Sequence, residues 1–71
     1  MKFNYNKLRG RIREILGTES KFTELMPMNR GTVSLKLNGQ QEWTQSEILV
    51  ALKVLKLSKE DIGIYFFNEM L

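Results

Sequence analysis

The chain of 71 residues stands near the lower limit at which one hydrophobic core forms unaided, so a single domain over residues 1–71 is expected, with its function on one surface. Its hydrophobic fraction of 42% and charged fraction of 27% are those of a folded globular domain rather than a disordered segment. It holds no cysteine and no histidine, which excludes disulfides, the usual zinc sites, thiol nucleophiles and the commonest general base, and with them most enzyme chemistry.

No apolar run of signal-peptide length follows Lys2, and no stretch approaches the roughly 20 apolar residues that span a bilayer, so a cytoplasmic location is expected. The net charge is +3, unevenly distributed. Lys2, Lys7, Arg9, Arg11 and Arg13 fall within the first thirteen residues without an acid among them, leaving six cations against all eight acids in the remainder. Clustered charge of this kind suits a polyanionic partner and equally suits a solvated basic helix face.

Glycines and the single proline cut the chain into helix-sized pieces. From Asn4 as N-cap, Tyr5, Leu8, Ile12, Ile15 and Leu16 recur at three- and four-residue steps up to Gly17, which predicts a first helix over about 5–16. Gly10 inside it costs about 1 kcal/mol of helix propensity relative to Ala. A second helix over about 19–26 is capped by Thr18 or Ser20, carries Phe22, Leu25 and Met26 on one face, and is interrupted by Pro27. Asn29 caps a third, Arg30 to Leu37, with Val33 and Leu37 stacked on one side and Asn38-Gly39 ending it.

Thr44 and Glu47 have the spacing of a capping box, so a fourth helix starts there; Ile48, Leu49, Ala51, Leu52, Val54 and Leu55 give it a wide apolar stripe. Ser58 to Asp61 repeats the capping pattern and opens a short fifth helix from Lys59 to about Tyr65, although the run Gly63 to Phe67 is also compatible with an extended segment. The expected class is all-α, one compact five-helix domain.

Residues 19–38 contain what a helix-turn-helix requires: two short helices, a brief turn, and apolar residues that pin the second helix on the first. Phe22, Met26, Met28, Val33 and Leu37 supply the buried side, leaving Arg30, Gly31, Ser34 and Lys36 outward with Leu35 near the edge. That outward face suits phosphates and base edges.

The segments Lys7 to Ile12 and Val33 to Gly39, the element Trp43, Thr44 and Glu47, and the ending Ile62, Tyr65, Phe66 and Phe67 together resemble the phage Cro and repressor family, lambda-repressor-like helix-turn-helix proteins. The likeness extends especially to small Cro-like or modulator-of-repression proteins from phages of Gram-positive hosts. The resemblance implies a five-helix, mostly dimeric, DNA-binding fold acting in the bacterial host during the choice between lysis and lysogeny. Carried over position by position, it implies base reading by Arg30, Gly31, Ser34 and Leu35. It implies phosphate contacts from Ser20, Lys21, Thr32, Lys36, Asn38, Gln40 and Gln41. Thr23 stands where the family usually has a small residue, and Pro27 where it has a turn glycine.

Each feature also has a plainer reading. Arg30 alone is most often a solubilising charge; Trp43 before a capping box is more often a hydrophobic staple than a stacking platform; Met26 and Met28 fill core gaps; Glu47 caps a helix rather than acting as an acid. Tyr65, Phe66, Phe67, Met70 and Leu71 hold enough apolar surface for a homodimer interface, or else close the core beneath the first and fourth helices. Two functions follow: a transcriptional regulator binding double-stranded operator DNA, or a protein-interaction module that binds a phage repressor and modulates or antagonises repression. No enzyme activity, metal, cofactor, small-molecule ligand or membrane partner is expected.

Overall fold

Five α-helices follow one another in a computed structural model that describes residues 3–69: α1 (Asn6–Leu16), α2 (Glu19–Leu25), α3 (Arg30–Leu37), α4 (Gln45–Val54) and α5 (Ile62–Phe66). A single 3-10 turn, Lys59–Asp61, runs directly into α5. No strand occurs among the described residues; one antiparallel bridge joins Phe3 to Glu69, and the Asn4 amide donates to the Asn68 carbonyl at 2.6 Å. Among the described residues, no helix is long and apolar enough to cross a membrane.

The helix boundaries follow local chemistry. Asn4 lies one residue outside the α1 cap position, which Tyr5 occupies, yet its Oδ1 still accepts the Asn6 amide at 2.8 Å. Thr18 Oγ1 accepts the Lys21 amide to open α2, and Asn29 Oδ1 accepts the Thr32 amide to open α3. Met26, immediately before Pro27, is extended at φ −97° and ψ 149°, because a following proline ring crowds the helical conformation. At α4 both halves of the capping box form: Thr44 Oγ1 accepts the Glu47 amide at 3.2 Å, and Glu47 Oε1 accepts the Thr44 amide at 2.9 Å.

Leu8 and Ile12 of α1, Phe22 of α2, Leu55 just after α4 and Phe66 of α5 are fully buried and form the centre of the core. Ala51 of α4 is also fully buried. Trp43 turns inward as a staple residue does. It meets Phe66 edge-on, with centroids 5.2 Å apart, and lies 6.3 and 6.4 Å from the rings of Tyr5 and Phe22. Its Nε1 is buried without an acceptor. Met26 belongs to the core and Met28 packs partly against it.

Three expectations need correction. Leu25 is 45% exposed rather than part of the buried face of α2, since the helix ends there and only Phe22 and Met26 reach the core. Leu49 is likewise exposed, so the apolar stripe of α4 is narrower than its composition implies. Residues 62–66 are helical, which excludes the extended alternative for most of the run from Gly63 to Phe67.

Candidate interaction surface

The environment of α3 differs sharply between its two sides. Val33, Lys36 and Leu37 are buried, whereas Arg30, Gly31, Ser34 and Leu35 are exposed, with Leu35 at 40%. Asn29 fixes the first turn, so Arg30 is the first helical residue and its guanidinium has no ion-pair partner among the described residues. Beside it, α2 and α3 enclose a shallow polar groove lined by Glu19, Ser20, Thr23, Arg30, Val33 and Ser34. The structure therefore brings together three of the expected contact residues, Ser20, Arg30 and Ser34. Lys21 is exposed on α2, and Thr32 is half-buried on α3.

Lys36 does not belong to this surface. Its side chain is 6% exposed, and its Nζ lies 2.8 Å from Glu47 Oε1 and donates to the Glu42 carbonyl at 2.6 Å. Positions 33, 36 and 37 share one arc of the helix, so the residue three after Val33 must point inward beside Leu37. Burying an ammonium is tolerable only with this carboxylate and carbonyl to replace water. The Lys36 charge is thus unavailable to a phosphate.

Burial pushes the Glu47 carboxyl up, but the hydrogen bonds from Lys36 and the Thr44 amide, together with the Lys36 charge, outweigh it and hold the group below its ordinary value. One carboxylate therefore caps α4 and anchors α3.

The side-chain oxygen of Asn38 is tied within the molecule, while its exposed amide nitrogen keeps its donors. Arg9 of α1 donates from Nη2 to Asn38 Oδ1 at 2.6 Å and from Nη1 to Glu19 Oε2 at 2.7 Å, tying α1 to the start of α2 and the end of α3. Arg11 donates to the carbonyls of Leu55 and Lys56 at the end of α4. Two of the five early cations are thereby structural, a role that spacing along the sequence does not signal. Gln40 and Gln41 are exposed after α3, but Gln41 lines a different cavity, beside Phe3, Tyr5 and Trp43.

The C-terminal aromatics separate. Phe66 is 1% exposed and serves the core, so it is not available to a partner; Tyr65 is half-buried, and Phe67 and Ile64 are about half exposed, at 52% and 50%. Met70 and Leu71 lie outside the described residues.

The outward side of α2 and α3 thus offers one unpaired guanidinium, small polar groups and an exposed leucine. It can recognise an acceptor through Arg30 and an apolar surface through Leu35. It supplies neither an aligned nucleophile and base nor a dense row of cations.

The model of the family described as protein of unknown function (DUF739) matches residues 1–69. No curated protein matches. Among solved structures, the fold is similar to the modulator of repression of the temperate bacteriophage TP901-1 from Lactococcus lactis, a protein determined in solution. The TM-score is 0.81, with 46% identity over 96% of this chain and 92% of that one. A family match across almost the whole chain, joined to this level of identity over a shared fold, establishes that the chain belongs to the DUF739 family.

Proposed function

We propose that this protein is an interaction module that binds a phage repressor and modulates or antagonises repression, using the outward side of α3 and the adjoining part of α2. The observation that carries the reading is its 46% identity, over nearly its full length, to a phage modulator of repression. The surface supports it: with Lys36 buried, α3 presents Leu35 and, among the described residues, a single unpaired cation, which suits a protein better than a phosphate backbone. On this reading the protein works in the cytoplasm of a bacterial host, within the switch between lysis and lysogeny.

The test is calorimetric binding to the repressor encoded in the same phage genome. Saturable binding that Leu35→Lys weakens by about tenfold or more is the expected result, because a charge placed at the centre of an apolar contact is desolvated without a partner. Absence of binding to that repressor refutes the proposal.

Operator DNA is the second reading, favoured by one feature. Arg30 sits at the first position of α3 beside Ser20 and Ser34, where an arginine can fork onto guanine while hydroxyls meet phosphates. Lys21, Thr32, Asn38, Gln40 and Gln41 are the remaining phosphate candidates, and a homodimer through Tyr65 and Phe67 would pair two half-sites.

A further inference from the structure

A cavity of about 250 Å³ opens between the first described residues, the connection from α3 to α4 and the end of α5. The rings of Phe3, Tyr5, Trp43 and Phe67 line it, backed by Phe66, which is 1% exposed and belongs to the core. Two pairs stand nearly perpendicular, Phe3 with Phe67 at 88° and Trp43 with Phe66 at 79°, with centroids 5.4 and 5.2 Å apart. In each pair the edge of one ring already meets a face of the other, so an entering group is left the faces that the pairs do not cover, chiefly around the half-exposed Phe67.

Among the described residues, Glu42 is the one charged residue of the lining, and its exposed carboxylate makes no ion pair with any of them. Tyr5 registers that charge: its hydroxyl is pushed up first by burial and then by the negative charge of Glu42. The nearby Lys36 ammonium, which binds the Glu42 carbonyl, is already matched by Glu47. The core does not explain Phe67, which leaves half its surface in water. Gly39, at φ +77°, passes close to Phe3 and Tyr5; a Cβ there would lie 3.7 Å from the Phe3 carbonyl oxygen.

We propose that this cavity receives the guanidinium of an arginine presented by a partner protein, held among the aromatic rings and paired with Glu42. Aromatic walls attract cations through their ring quadrupoles, and a carboxylate at the mouth adds a charge-assisted hydrogen bond. Guanidinium fits better than ammonium because it is planar, stacks on rings and is less strongly hydrated. The inference does not depend on a repressor being the partner, and its test uses none.

Trp43 is the only tryptophan, so its indole N–H gives one resonance that reports directly on the cavity. The 15N-labelled full chain is titrated with N-acetyl-arginine amide and, separately, with the neutral isostere N-acetyl-citrulline amide. Saturable movement of the indole signal with the arginine compound, and binding about tenfold weaker for citrulline, is the expected result. Glu42→Gln should weaken arginine binding by roughly threefold to tenfold. The Glu42 side chain makes no hydrogen bond within the described fold, so the remaining spectrum should be unchanged. Phe67→Ala, which removes an exposed wall, should weaken binding in the same direction. Equal responses to arginine and citrulline, full affinity in Glu42→Gln, or a stationary indole signal up to roughly 50 mM ligand would each overturn the proposal.

Discussion

Lys36 Nζ and Glu47 Oε1 lie 2.8 Å apart with side chains 6% and 16% exposed, so the helix proposed to meet the partner is fastened to α4 by a mostly buried ion pair. Removing only the cation leaves the carboxylate without its partner and the Glu42 carbonyl without its donor. Lys36→Met should therefore cost about 2 kcal/mol or more in urea denaturation. Glu47→Gln combined with Lys36→Met should cost less than the sum of the two single changes, with a coupling of about 1–3 kcal/mol. Additive effects would show that the pair is incidental.

The same pair makes a prediction in pH. The folded Glu47 carboxyl titrates below its unfolded value, so its stabilisation is fully present above the ordinary carboxylate range and is lost as pH falls through the folded value. Thermal unfolding measured from neutral pH down to pH 3 should show a steeper acid loss for the native chain than for the Lys36→Met, Glu47→Gln double variant. Parallel curves would contradict the assignment.

Gly10 is exposed in the middle of α1, and a Cβ placed there meets nothing within 4 Å. Alanine can occupy the position without displacement, and it favours helix over unfolded chain. Gly10→Ala should therefore stabilise by about 1 kcal/mol, raising Tm by roughly 4–8 °C in a domain of this size. A neutral or lower Tm would show that this helical turn is under a constraint the fold does not reveal.

Helices were legible in the sequence wherever a cap and a period agreed. Asn29 with Val33 and Leu37, and Thr44 with Glu47, place α3 and the start of α4 from side-chain chemistry that acts within four residues. Lys36 shows where this fails. Its charge argued for solvent while its position, three after Val33, argued for the core, and a carboxylate eleven residues on decided between them. Arg9 was readable as part of a basic end, but its bonds to Glu19 and Asn38 exist only because the fold packs α1 against α2 and brings it to the end of α3. Local rules are likewise silent on the aromatic cavity, which joins residues from both ends of the described chain.

Lys56 holds φ +57°, a left-handed conformation, as α4 closes with the Leu57 amide donating to the Leu52 carbonyl at 2.8 Å. A side chain there crowds its own backbone, while glycine does not. Lys56→Gly should stabilise by about 0.5–1 kcal/mol, the relief of strain exceeding the added freedom of the unfolded chain. Gly17→Ala, at φ +88°, should do the reverse by a similar amount. Chemical denaturation of both variants checks the signs, and matching signs would refute the argument.

Arg30 and Leu35 separate the two functional readings because they share one exposed face but offer different chemistry. If the partner is a repressor, Leu35→Lys should be the more damaging change, and affinity should vary only modestly between 50 and 200 mM salt, since little charge is neutralised. If operator DNA is the ligand, Arg30→Ala should remove about 1–3 kcal/mol of discrimination at one base pair, and binding should fall steeply over the same salt range. Leu35→Lys, at an expected base-reading position, would then change sequence preference, while its added cation would strengthen binding to DNA of any sequence. The sign of the Leu35→Lys effect, read on the repressor and on DNA of unrelated sequence, therefore separates the ligands: the same added charge that costs affinity in an apolar protein contact gains it on a polyanion.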